Sequence, residues 1–141
     1  MKTKFILLFL FWFCAAVAQE EKKQKCTLYF DKEFGRSFYY DMDIYPEFID
    51  KKTDVLDFIP TNFKVPTKKY KKNEQVQFAW LVEKNGTSTF LKLIYPPDDK
   101  ELEEEAKRIV SMLPLYRPAM CGKDTFPCKI DINFSLTKKR K

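Results

Sequence analysis

Alternation is sharpest between Gln75 and Val82, where Val76, Phe78, Trp80 and Val82 interleave with Gln77, Ala79 and Leu81. A period of two places one set of side chains on each face, so the segment predicts a β-strand. Asn85-Gly86 follows, a pair that tolerates positive φ and favours a tight hairpin. Thr87 to Tyr95, rich in Thr, Phe, Leu and Ile, predicts the returning strand, stopped by Pro96-Pro97. The period then changes. Leu102, Ala106, Ile109, Val110 and Leu113 recur at helical spacing and form one apolar stripe. Asp98-Asp99-Lys100-Glu101 supplies a capping-box-like start, and Pro114 ends the helix. The last alternating run is Phe126 to Leu136. Cys128, Ile130, Ile132, Phe134 and Leu136 point one way, and Lys129, Asp131, Asn133 and Ser135 the other.

Weaker patterns precede these. Cys26 to Asp31 and Arg36 to Asp41 are Tyr/Phe-rich runs around Lys32-Glu33-Phe34-Gly35 and suggest a hairpin. Asp50 to Ile59 predicts a short helix with Val55, Leu56 and Ile59 on one face, ended or kinked by Pro60. The expected fold class is α+β: a two-layer sandwich with an antiparallel sheet of three strands, or slightly more, and two helices on one face.

The chain start changes the domain plan. Lys2 and Lys4 precede the apolar run Phe5 to Phe13, and Ala16-Val17-Ala18 fits a small-x-small cleavage site. Phe5 to Ala18 falls short of the roughly 20 apolar residues of a membrane span. The expected plan is a signal peptide over 1–18, an N-terminal extension with a hairpin over 19–44, a domain over 45–136 and a basic tail over 137–141. Export points to the periplasm or cell envelope, and the mature chain is expected not to span a membrane.

Composition narrows the chemistry. The 141 residues include Lys+Arg 26, Asp+Glu 20, Cys 4 and no His. Without His there is no Ser-His-Asp triad, no Cys-His pair and no imidazole metal ligand. The carboxylate pairs Asp41/Asp43 and Asp98/Asp99 read as turn and capping residues, so the chain is not expected to be an enzyme and no cofactor or metal is expected. The basic run Lys64 to Lys72 reads as a solvated loop rather than a nucleic-acid patch, given export and the lack of a motif. Export suits disulfides. Removing Cys14 with the signal leaves Cys26, Cys121 and Cys128. Cys121 and Cys128 flank the turn-rich Gly122 to Pro127, so a Cys121–Cys128 bridge is expected, with Cys26 free or bridging two chains as a dimer.

Several short patterns together resemble one family. Val82-Glu83-Lys84-Asn85-Gly86 resembles a V-x-x-x-G hairpin. Leu102 to Pro114 resembles an L-x-x-x-A-x-x-x-V-x-x-x-P helix, and Tyr116-Arg117-Pro118-Ala119 a W-x-P-A segment with Tyr for Trp. Ile130 to Leu136 resembles a terminal P-I-N-F-x-L strand. Pro46-Glu47-Phe48 and Phe63-Lys64-Val65-Pro66 resemble the family's entry motifs. These are features of the TonB C-terminal domain, and the likeness covers about residues 45–136. Ile49-Asp50 stands where the family has a glycine pair, and the anchor and Pro/Lys-rich spacer of an energy transducer are not expected here.

The resemblance implies a non-catalytic protein-binding module linked to TonB-dependent transport across the outer membrane. It would take a partner segment, such as a periplasmic stretch of an outer-membrane receptor, as an added strand. The expected binding edge is the backbone of Lys129, Ile130, Asp131, Ile132, Asn133, Phe134 and Ser135. The alternative is an exported small-ligand or envelope-surface binder that keeps the fold without the transport role, using the aromatic segment Tyr29 to Tyr45.

Overall fold

The computed structural model describes residues 26–65, 70–71 and 73–136. The expected signal segment 1–18, the stretch 19–25, the expected tail 137–141 and, within the Lys64–Lys72 run, residues 66–69 and 72 lie outside the described residues. The chain forms an α+β fold. Five strands make one sheet in the order β1-β2-β9-β4-β5. These are β1 (Thr27–Asp31), β2 (Arg36–Asp41), β4 (Gln75–Val82), β5 (Ser88–Tyr95) and β9 (Cys128–Ser135). Two-residue strands β3 (Glu47–Phe48) and β6 (Tyr116–Arg117) pair with each other, as do β7 (Met120–Cys121) and β8 (Asp124–Thr125). The helices are α1 (Val55–Asn62) and α2 (Lys100–Ser111).

The sheet is mixed, which corrects the expectation of an antiparallel one. β4 pairs antiparallel with both β5 and β9, but β2 meets β9 in parallel, at the single pair Tyr39 and Cys128. A crossover runs from β2 through the rest of the chain before β9 begins, and no local pattern encodes that pairing.

Each helix is placed by its cap. Asp99 accepts a hydrogen bond from Leu102 N–H at 3.2 Å and opens α2, whose Leu102, Ala106, Ile109 and Val110 are buried. Asp54 accepts from Leu56 N–H at 2.9 Å and starts α1 at Val55 rather than near Asp50. Pro60 lies inside α1 instead of ending it. Its missing N–H would have bonded the Leu56 carbonyl, and Leu56 is 64% exposed, so water can reach that turn. Ile59 is the buried anchor of α1.

Both helices cover one face of the sheet. Ile59, Leu102, Ala106, Ile109 and Val110 join Val76, Phe78, Trp80, Val82 and Ile132 in one continuous core. The opposite face is covered as well. Ala79 and Leu81 are fully buried although their parity turns them from the helices. Lys92 stands opposite Ala79. It pairs with Glu33 of the β1–β2 turn at 2.7 Å, while Arg36 pairs with Glu83 at 2.7 Å. The tip of the N-terminal hairpin therefore curls over this second face.

A disulfide joins Cys26 to Cys121, 95 residues apart, with Cα atoms 5.9 Å apart. This corrects the expected Cys121–Cys128 bridge with a free Cys26. The turn after Cys121 forms the small β7–β8 hairpin, and the chain passes on into β9, where the Cys128 side chain is buried as a free thiol. Cys26 enters β1 beside Cys121, so the bridge ties the N-terminal hairpin to the segment that precedes β9.

Candidate functional site

The site is built on β9 and its neighbours. On one side β9 is paired along its whole length, from Cys128 opposite Val82 to Ser135 opposite Gln75. On the other it meets β2 only at Cys128, because after Asp41 the chain turns away and Ile44 pairs with Met120. The strand expected as an outer edge is thus the middle strand of five, with one flank left open beyond its start.

Backbone alternation says which groups that flank offers. Tyr39 N–H donates to Pro127 C=O at 2.8 Å, so Pro127 turns its carbonyl toward β2. Successive residues of a strand turn their N–H and C=O to opposite sides. Lys129, Asp131, Asn133 and Ser135 therefore aim their backbones at the open flank, and Ile130, Ile132 and Phe134 aim theirs at β4. The far end agrees: Leu136 N–H donates to Glu74 C=O at 2.8 Å, on the β4 side. Among the described residues, no backbone group pairs with Asp131, Asn133 or Ser135 across the open flank.

The residues singled out on this strand thus divide. Ile130, Ile132 and Phe134 pack into the core under the helices. Lys129, Asp131, Asn133 and Ser135 lie on the other face, where Gln77 Nε2 donates to Asp131 Oδ2 at 3.2 Å and Gln75 Nε2 to Ser135 Oγ at 2.7 Å.

On that face a groove of about 590 Å³ opens between the N-terminal hairpin and β9. Its lining includes Tyr29, Asp31, Phe38 and Tyr40 of the hairpin and Lys129 and Asp131 of β9. Phe38 is buried, and the Tyr29 ring packs against it at a tilt of 52°, with ring centroids 5.9 Å apart. Tyr40 is 80% exposed. The sequence marked Tyr29 to Tyr45 as aromatic but gave no reason to bring it to β9. The parallel bridge and the Cys26–Cys121 disulfide do that.

The other candidates serve structure. Asp41 accepts from Met42 N–H, Asp43 from Gly122 N–H at 2.9 Å, and Asp99 caps α2 while accepting from the Tyr70 hydroxyl at 2.9 Å. Asp43 also lies within 4.8 Å of the sulfurs of Cys26 and Cys121. Those sulfurs are bonded to each other, so neither is a thiolate that could ligate a metal. Burial pushes the Cys128 thiol up to about 11, which removes it as a nucleophile near neutral pH. The Tyr116 hydroxyl is raised well above the usual tyrosine range, chiefly by burial, with the nearby Trp80 indole offsetting part of the rise. Trp80 Nε1, Ser88 Oγ and the Tyr116 hydroxyl are buried without a hydrogen bond that meets normal geometry.

No family model, curated protein or solved structure matches the chain. Among the described residues, no helix is long and apolar enough to cross a membrane.

Proposed function

We propose that this chain is a non-catalytic protein-binding module of the cell envelope that accepts an extended partner segment as a strand added to the open flank of β9. The observation that carries the reading is the row of outward backbone groups at Asp131, Asn133 and Ser135, which have no partner strand among the described residues. An extended peptide satisfies such a row through main-chain hydrogen bonds, with alternate side chains setting specificity. The flank is short, which limits self-association.

The partner class comes from the sequence resemblance of residues 45–136 to the TonB C-terminal domain. It is a periplasmic segment of an outer-membrane receptor, presented to an exported chain. Asn133 is the probe, because its N–H points to the flank and not into the β4 ladder. Asn133→Pro removes that donor and leaves the internal ladder whole, while Asn133→Ala keeps it. Tagged protein is used to capture partners from envelope extract, with circular dichroism alongside. The wild type and Asn133→Ala should recover the same outer-membrane receptor, and a folded Asn133→Pro should lose it. Equal capture by a folded Pro variant defeats the reading. Circular dichroism confines that comparison to variants that fold.

A further inference from the structure

The open flank and the groove share residues, and together they define what kind of side chain a partner brings. Asp131 turns its backbone to the flank and its side chain into the groove. In an added strand, the residue directly opposite Asp131 presents its side chain on the same face, with Cβ atoms roughly 4.5–5.5 Å apart. That side chain enters the space bounded by Tyr29, Phe38 and Tyr40.

The electrostatics of the space are one-sided. The lining carries two carboxylates, Asp31 and Asp131, and one ammonium, Lys129. Lys129 stands where β2 still flanks β9, next to the Tyr39–Cys128 pair, so it borders the position before the added strand begins. Each carboxylate keeps one oxygen unengaged. Asp31 Oδ1 accepts from the N–H groups of Glu33 and Phe34, and Asp131 Oδ2 accepts from Gln77. Among the described residues neither Asp31 Oδ2 nor Asp131 Oδ1 takes a hydrogen bond. The aromatic walls add a second attraction for a cation, and they give an aliphatic stem something apolar to lie on.

We propose that the groove selects a basic residue, arginine ahead of lysine, at the position of the partner strand that faces Asp131. The inference rests on strand addition to β9 and adds the side-chain specificity of that site. A guanidinium is planar, so it can lie along a tyrosine ring while its fork meets a carboxylate; an ammonium does the second less well and the first hardly at all.

The test uses the full, natively exported protein and labelled nine-residue peptides of alternating Val and Thr. The central residue is Arg, Lys, Leu or Glu, and dissociation constants are read by fluorescence anisotropy. The Arg peptide should bind about tenfold more tightly than the Leu peptide, and the Glu peptide most weakly. In an Asp31→Asn/Asp131→Asn double variant the Arg-over-Leu ratio should fall to within about twofold. Asparagine keeps the oxygen that each turn or ladder contact uses, so the variant should fold. Added salt should shrink the same ratio.

A Leu or Glu peptide that binds as tightly as the Arg peptide overturns the inference, as does a ratio that survives the double substitution. Asn133→Pro separates this failure from the broader one. If it weakens all four peptides while no preference for Arg exists, strand addition stands and only the basic specificity falls. If no peptide binds, or binding ignores Asn133→Pro, strand addition falls and the inference falls with it.

Discussion

The two ends of the sheet are held by different means. The β4, β5 and β9 end is clamped by burial. Phe78, Trp80, Leu102, Ala106 and Ile109 are all at 0% exposure, and the two helices close over them. The β1–β2 end has a smaller apolar cluster of Tyr39, Met42, Ala119, Cys121 and Cys128, and it leaves Leu28, Tyr29, Phe30 and Tyr40 facing solvent. What holds it is a disulfide, one parallel bridge and ion pairs from the hairpin tip. A hairpin with this little burial would be marginal alone. The molecule thus pairs a rigid platform, which fixes the backbone of β9, with a tethered arm, which forms the far wall of the groove. The proposed binding site between them would keep its strand register while its aromatic wall adjusts.

The widest gap between the two regions should appear in a core truncation. Phe78 is fully buried on β4, with ring neighbours Trp80, Phe134 and Phe63. Phe78→Ala should cost about 3–5 kcal/mol, because the lost transfer energy is joined by a cavity that three rings cannot collapse into. Denaturant unfolding measures it. Phe30→Ala on the arm is the matched control, and it should change stability by less than about 0.5 kcal/mol since Phe30 is 56% exposed. Equal losses at both positions would erase the distinction.

Removing the tether should come next. The bridge spans 95 residues, and a loop of that size is worth about 4–5 kcal/mol in the chain-entropy account. A Cys26→Ser/Cys121→Ser variant should lose up to that amount, but unevenly. Amide exchange should rise most in β1 and β2, and much less in β4 and β5. A uniform rise would mean that arm and platform unfold as one unit, and the comparison would then need to be redrawn.

Legibility in the sequence follows the same division. The platform is built from local pattern, so β4, the Asn85-Gly86 turn and the stripe of α2 are readable directly. Gly86 shows why the turn tolerates nothing else: it has φ +82 and a Cβ there would lie 2.0 Å from the Tyr116 carbonyl oxygen. The arm is built from long-range contacts. Alternation marks β1 and β2 as a hairpin, but nothing local says that it crosses to β9 or curls over Ala79 and Leu81. Cysteine spacing favours the nearest pair, Cys121 and Cys128, and cannot see that folding brings Cys26 to Cys121. On β9, the alternation of Lys129, Asp131 and Asn133 with core residues was readable. That the same residues turn their backbones to an open flank was not, since it depends on where β2 departs. The groove was legible only as composition, an aromatic run without an address.

The smallest expected effect lies where the two regions meet. Cys128 opens β9, faces Tyr39 across the parallel bridge and is 1% exposed. Burial raises its thiol from 9.0 to about 11. The folded state therefore holds the proton in a range where the unfolded chain has released it. Because the unfolded state then binds fewer protons, stability falls as pH rises. The contribution is fully present below about pH 9 and should be lost between pH 9 and 11, on the order of 2–3 kcal/mol at most. Chemical denaturation across that range measures the slope, and Cys128→Ala supplies the control: its stability is lower at pH 8 through lost packing, but its fall toward pH 11 should be shallower than that of the wild type. Burial of Tyr39 raises its hydroxyl too, so a residual decline above pH 10 is expected in both proteins. Identical slopes would show that the start of β9 opens to water before the rest of the sheet, and that the junction belongs to the arm instead of the platform.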